Sequence, residues 1–306
     1  MSNLPLSAAA PVPAIALPPG AKKIGMGRLL PEVRSAKTAT YPLIVEFRHV
    51  TKTYNVGESN EFTAIRDVSF AVEDLPEVGE LICVLGPSGC GKSTILRLIA
   101  GLAPQHPATS GEVLVLGKPV VRPGSDRGMV FQDYTSFDHR TVLENVTFGL
   151  ECLGMRRQDR NDLGREWIRK VGLSIDKDQD KYPHELSGGM CQRVAIARTL
   201  ILRPKIILMD EPFGALDPQT RFNMQDLLLE LWKEIEATVF FITHSIEESV
   251  YLGDRVYLMT SSPGQIMREL AVVRPNLPAR QIQRDPEFQE TVNFIRDLIS
   301  ELEGAM

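Results

Sequence analysis

No apolar run in this 306-residue chain approaches the ~18 residues that a helix needs to cross a bilayer. A role at a membrane would have to run through a partner. Cysteine is scarce: Cys83, Cys90, Cys152 and Cys191 have no framework-like spacing and form no CxxC pair. That pattern excludes a disulfide scaffold and fits free thiols in a reducing compartment. Basic charge is not in excess either. A net charge of -5 argues against a nucleic-acid binder, because such proteins concentrate Lys and Arg on one surface. Any phosphate must then be held by local geometry. The Ala/Pro-rich stretch Ala8 to Pro19 has no basic segment before it and is interrupted by prolines, so it does not read as a signal peptide. There is no internal repeat. What remains is a globular composition, 43% hydrophobic and 24% charged, long enough for one large domain or two small ones.

Residues 1 to about 42 carry Pro5, Pro11, Pro13, Pro18, Pro19, Pro31 and Pro42 among small residues. They are expected to form a flexible leader, with a partner-binding arm as the alternative. From Leu43 short apolar runs alternate with helical stretches. Leu81-Ile82-Cys83-Val84-Leu85, Ile206-Ile207-Leu208-Met209 and Val239-Phe240-Phe241-Ile242 read as strands buried on both faces. Such strands belong to a mostly parallel sheet covered by helices, the α/β class. Between residues 133 and about 199 the strand signal disappears. Val142–Met155 and Gln158–Val171 look helical, so a helical insertion is expected there. In the tail, residues 271–306, Phe288, Val292, Ile295, Ile299 and Leu302 share one helical face. They predict an amphipathic helix packed on its own domain.

Gly86-Pro87-Ser88-Gly89-Cys90-Gly91-Lys92-Ser93-Thr94 matches GxxxxGK[ST] between a strand ending at Leu85 and an apolar helix stopping at Gly101. Glycines let backbone N–H groups turn inward around a β-phosphate where a Cβ would intrude, and the helix beginning near Lys92 aims its positive end at the same anion. Lys92 then bridges β- and γ-phosphates, and the Ser93 hydroxyl ligates Mg²⁺. Asp210, at the tip of a second buried strand, suits water-mediated Mg²⁺ binding. Glu211, directly after it, is placed to polarise an attacking water.

Leu186-Ser187-Gly188-Gly189-Met190-Cys191-Gln192-Arg193 runs into the helix Val194–Leu202. It is a second anion site, Ser187 and two flexible glycines at a helix N-terminus. The segment resembles the signature motif of the ABC ATPases, and the resemblance extends over about residues 44 to 270. It implies a P-loop NTPase core with a mostly parallel sheet, a small antiparallel β subdomain and an inserted α-helical subdomain. It further implies a head-to-tail homodimer in which the phosphate loop of one subunit and Ser187, Gly188 and Gly189 of the other sandwich ATP. By the same resemblance Tyr54 stacks on adenine, and Gln132 senses Mg²⁺ and the attacking water. Asp217, in Ala215-Leu216-Asp217, belongs to a loop crossing the dimer interface. His244 holds the γ-phosphate and orients the water.

The nearest resemblance is to ABC importer subunits of the nitrate/sulfonate/taurine type, carried by Met190, Tyr134-Thr135-Ser136-Phe137, Thr141-Val142-Leu143-Glu144-Asn145-Val146, Ser245-Ile246-Glu247-Glu248, Gly253-Asp254-Arg255-Val256 and Ser262-Pro263-Gly264. Met190 replaces the Gln of many ABC proteins. Asp138-His139 replaces the usual Pro-Trp, beside the surface for the membrane partner. The importer reading implies transmembrane permease subunits, indirectly a solute-binding protein, and a peripheral place on the cytoplasmic face of the cell (inner) membrane. A non-transport ABC ATPase would bring a long coiled-coil insertion, tandem cassettes or cysteine-rich ligands, and none is in the sequence. A lipid-trafficking or exporter subunit would share every ATPase motif. Among the thiols, Cys90 is expected to be the reactive one, near a helix N-terminus and Lys92, unless it points inward and is shielded.

Overall fold

The computed structural model describes residues 20–133 and 135–304. The leader therefore falls partly outside the described residues, and from Gly20 onward it is not a loose segment. Strands β1 (Lys22–Ile24) and β2 (Gly27–Leu29) form a hairpin that pairs through β2 with β12 (Ile266–Val272) and extends the main sheet. Ile24 and Leu30 are buried. Thr291, itself buried, accepts the Met26 N–H at 2.9 Å and donates to the Ile24 carbonyl at 3.2 Å. Arg34 N–H donates to Glu269 at 2.8 Å, so the following turn is tied to the sheet as well. The composition missed this because the hairpin adds backbone pairing and a few apolar side chains, Ile24, Met26 and Leu29, and has no core of its own.

Strands β3 (Leu43–Tyr54), β4 (Phe62–Glu73), β6 (Ser110–Val115) and β7 (Lys118–Pro119) make a small antiparallel sheet in the order β4-β3-β6-β7. The main sheet adds β5 (Leu81–Leu85), β8 (Arg127–Val130), β9 (Ile206–Asp210), β10 (Thr238–Thr243) and β11 (Arg255–Met259). Its order is β1-β2-β12-β11-β5-β10-β9-β8, parallel from β11 to β8 and antiparallel from β11 outward to β1. Every residue of β5, β9 and β10 is buried. That is why these strands read as unbroken apolar runs: both faces are covered, so no polar alternation survives. On one face Phe240 and Tyr257 meet Phe70 of the small sheet, which stacks on Phe47 at 4.5 Å.

Helix α1 (Lys92–Ala100) follows β5 and ends on Gly101, whose left-handed φ of 75° closes the last turn. Helices α2 (Val142–Cys152), α3 (Arg157–Lys170), α4 (Ile175–Asp178) and α5 (Gly188–Leu200) occupy the stretch between β8 and β9. Thr141 and Glu144 form a reciprocal capping box that starts α2. Helix α5 begins earlier than its apolar run, because the Ser187 hydroxyl caps it and draws the two glycines into the first turn. Helices α6 (Pro218–Trp232), α7 (Ile246–Leu252), α8 (Ala279–Ile282) and α9 (Pro286–Gly304) complete the chain. Phe288, Val292 and Ile295 of α9 are buried in the same apolar cluster as the sheet, as the helical spacing predicts. Among the described residues no helix is long and apolar enough to cross a membrane.

Candidate functional site

In open parallel sheets, ligands bind beyond the carboxyl ends of the strands. Here those ends are in register. Leu85 pairs with Thr243, Ile242 with Asp210, and Val130 with Met209. The loops leaving β5, β10, β9 and β8 therefore emerge from one edge. They carry Gly86 to Gly91, His244, Glu211 and Gln132.

Gly89 and Gly91 have φ of 78° and 94°. A Cβ on Gly91 would lie 2.4 Å from Ile65 Cγ2, so the loop is wedged against β4 and glycine alone fits. From the other side a Cβ on Gly264 would lie 1.8 Å from the Cys90 carbonyl. The Ser262–Gly264 turn thus braces the loop from below. No side chain caps the start of α1, where Gly91 is the N-cap. The helix start is thus left without a capping side chain, as an anion site requires, while Ser88 and Gly89 are exposed at the loop tip and Pro87 is half-buried. Lys92 is buried, and its ammonium donates to the Gly86 and Pro87 carbonyls, both at 2.8 Å.

The Ser93 hydroxyl donates to Asp210 Oδ1 at 2.8 Å, and Arg97 lies 3.9 Å from the same carboxylate. Burial pushes the Asp210 carboxyl up, against the opposing pull of Ser93 and Arg97. A hydroxyl and a carboxylate held side by side are hard oxygen donors, the set that suits Mg²⁺. Glu211 has a φ of 44°, rare for a residue with a Cβ. This turn ends β9 and directs the carboxylate to His244, with Oε2 3.3 Å from Nδ1. Strain of this kind collects at functional positions. Gln132 is exposed two residues beyond β8. The loop after it is pinned by buried Asn145, which accepts from Phe137 N–H at 2.7 Å and donates to the Phe137 and Arg140 carbonyls. Tyr54, at the end of β3, puts its hydroxyl 3.2 Å from Thr94 Oγ1, with the Lys52 ammonium 5.3 Å from its ring centre.

Cys90 departs from expectation. It is buried, and burial pushes its thiol up despite the opposing pull of Lys92. Its side chain joins the apolar cluster of Ile65, Val84, Ile95 and Met259, so the shielded alternative is the one realised. The exposed thiol is Cys152, at the end of α2.

The remaining site residues form a second group. Ser187 and Gly188 are exposed at the start of α5, and Asp217 caps α6 by accepting from Gln219 and Thr220 N–H, both at 3.1 Å. A Cβ on Gly189 would lie 3.0 Å from Thr220 Cγ2, so the two helix starts sit side by side. Among the described residues no hydrogen bond or ion pair joins this group to the phosphate loop. Reading single motifs missed Arg97 and the buried Glu248 behind His244. The Thr243-to-Glu248 spacing, one helical turn after a strand end, was the available signal.

A family model described as "ABC transporter" matches residues 65–214. An uncharacterised ABC transporter ATP-binding protein of Methanocaldococcus jannaschii is 45% identical over 270 residues, covering 87% of this chain and 96% of that one. The nitrate import ATP-binding protein of Synechocystis sp. is 44% identical over 253 residues, 80% of this chain and 91% of that protein. The taurine import ATP-binding protein of Roseobacter denitrificans is 40% identical over 269 residues, 85% and 97% of the two chains. A dimeric ATP-binding cassette solved in a post-hydrolysis state with ADP and Pi superposes with a TM-score of 0.64 at 32% identity, covering 76% of this chain and 99% of that one. With the strand-end loops arranged as described, the chain belongs to the ABC transporter family, as one of its ATP-binding, ATP-hydrolysing subunits.

Proposed function

We propose that the chain is the ATPase of an importer, dimerising head-to-tail and driving a transmembrane permease for a small anion such as nitrate, a sulfonate or taurine. The observation that carries the dimer is the pair of helix starts suited to an anion, at Gly91 and Ser187, with no hydrogen bond or ion pair between them among the described residues. A second copy would supply Ser187, Gly188, Gly189 and Asp217 to the nucleotide held by the first. The importer type and anionic cargo rest on the relatives named for nitrate and taurine import, at 44% and 40% identity. On this reading the subunit works at the cytoplasmic face of the membrane, and a solute-binding protein delivers the cargo from the other side.

Within each site Tyr54 stacks on adenine, and the loop from Gly86 to Thr94 wraps the phosphates, turning backbone N–H groups of its glycines and of the first turn of α1 toward them. Lys92 leaves its two loop carbonyls to meet the β- and γ-phosphates. Ser93, Asp210 and Gln132 would hold Mg²⁺, which would supply charge neutralisation at the phosphates. Glu211 accepts a hydrogen bond from the attacking water, and His244, 3.3 Å from Glu211, fixes that carboxylate and the γ-phosphate together.

Glu211→Gln tests the reading. The amide is nearly isosteric but accepts a proton poorly, so hydrolysis should stop while ATP stays bound. The expected product is an ATP-loaded dimer, seen by light scattering, with turnover lowered at least about a hundredfold. Parent-like hydrolysis would remove Glu211 from this role.

A further inference from the structure

Behind the site lies a buried carboxylate for which the chemistry above has no use. Glu248, in the first turn of α7, is 7% exposed. Its Oε2 accepts from the Thr243 hydroxyl at 2.6 Å, and that hydroxyl in turn accepts the Ser245 N–H at 2.9 Å. The two contacts straddle His244 and fix the backbone that presents it. On the other side, Glu248 Oε1 accepts from Gln225 Nε2 at 3.3 Å and faces Arg221 Nε at 3.7 Å. Arg221 also donates to the Leu216 carbonyl at 2.9 Å, one residue before Asp217. One carboxylate thus stands between the turn bearing His244 and the turn bearing Asp217.

We propose that Glu248 is a positioning residue, holding the His244 turn in register with the Asp217 turn so that the imidazole meets Glu211. The inference rests on the catalytic reading above. The geometry carries it: both carboxylate oxygens are engaged, on opposite sides, one by the Thr243 hydroxyl at the end of β10 and the other by Gln225 and Arg221 of α6. A buried charge is tolerated only when so engaged, and each contact to it is stronger than a neutral one. The carboxylate therefore sets the spacing between the turns more firmly than apolar packing would. Displacing a catalytic group by about 1 Å costs on the order of a hundredfold in rate.

The test uses the full chain and steady-state ATPase kinetics. Glu248→Gln keeps the shape but turns an NH₂ group toward one of its donors. Thr243→Val keeps the volume and removes the hydroxyl. Each is expected to lower kcat by about tenfold to a hundredfold while KM for ATP stays within about twofold. The double variant should be no slower than the slower single one, because both break one path. Thr243→Ser, which restores the hydroxyl, should recover most of the loss. The proposal is overturned if both single variants keep kcat within about twofold of the parent, if the loss appears in KM, or if the losses multiply. Glu211→Gln run alongside separates the two claims. Its inactivity beside a fully active Glu248→Gln would sink only the positioning role; its activity would sink the catalytic assignment itself.

Discussion

The Ser93 hydroxyl and the Asp210 carboxylate meet at 2.8 Å, joining the first turn of the helix after the phosphate loop to the end of a strand two positions away in the sheet. Both oxygens suit one metal ion. Ser93→Ala and Asp210→Asn should each weaken Mg²⁺-dependent ATP affinity by about 1.5–3 kcal/mol, roughly tenfold to a hundredfold. Titration calorimetry with MgATP, against ATP with chelator, measures the difference. Equal affinities with and without Mg²⁺ in parent and variants alike would dissolve the assignment.

Asp210 also carries a pH prediction. Burial holds its carboxyl above the unfolded value, so the native state binds the extra proton in the window between the two. The sign follows: stability falls as pH rises through that window, and at neutral pH the charged form is a cost. Asp210→Asn should then be at least as stable as the parent at pH 7, with the advantage shrinking toward pH 4. Urea midpoints across that range decide it, and a variant less stable at pH 7 than at pH 4, relative to the parent, contradicts the sign.

The thiols give a sharply different expectation from the loop's charge alone. Cys83 and Cys90 are buried with their thiols pushed up, and Cys191 is half-buried and pushed up as well. A maleimide at neutral pH should label Cys152, with or without MgATP, and leave ATP hydrolysis intact. Peptide mass spectrometry locates the adduct. Dominant labelling of Cys90, blocked by nucleotide, would restore the exposed-loop picture.

Thr291 holds the hairpin to α9 through Met26 and Ile24. Thr291→Val preserves the volume and leaves the Met26 N–H without an acceptor, a loss of about 1–3 kcal/mol. Thermal unfolding measures it, and hydrogen exchange at residues 22–29 should rise selectively. Unchanged exchange there would mean that pairing with β12 alone secures the hairpin.

What is local was legible along the chain. Apolar runs without polar alternation marked β5, β9 and β10, since a strand covered on both faces leaves no other composition. The glycines around Lys92 and the Ser-Gly-Gly that opens α5 announced two anion-ready helix starts, because helix ends and positive φ are short-range requirements. What depended on distant partners could not be seen. Lys22 to Leu29 looked like part of a leader because its order comes from β12 and from Thr291, more than 260 residues away. Cys90 looked reactive because the helix start and Lys92 are neighbours in sequence. Only folding turned its sulfur into the cluster of Ile65 and Met259, where burial outweighs the nearby charge. In the sequence Glu248 was no more than the last residue of Ser245-Ile246-Glu247-Glu248, one of the segments that carried the resemblance. Its buried place between the turns bearing His244 and Asp217 was decided by α6 and α7 packing together, a contact that no local pattern encodes.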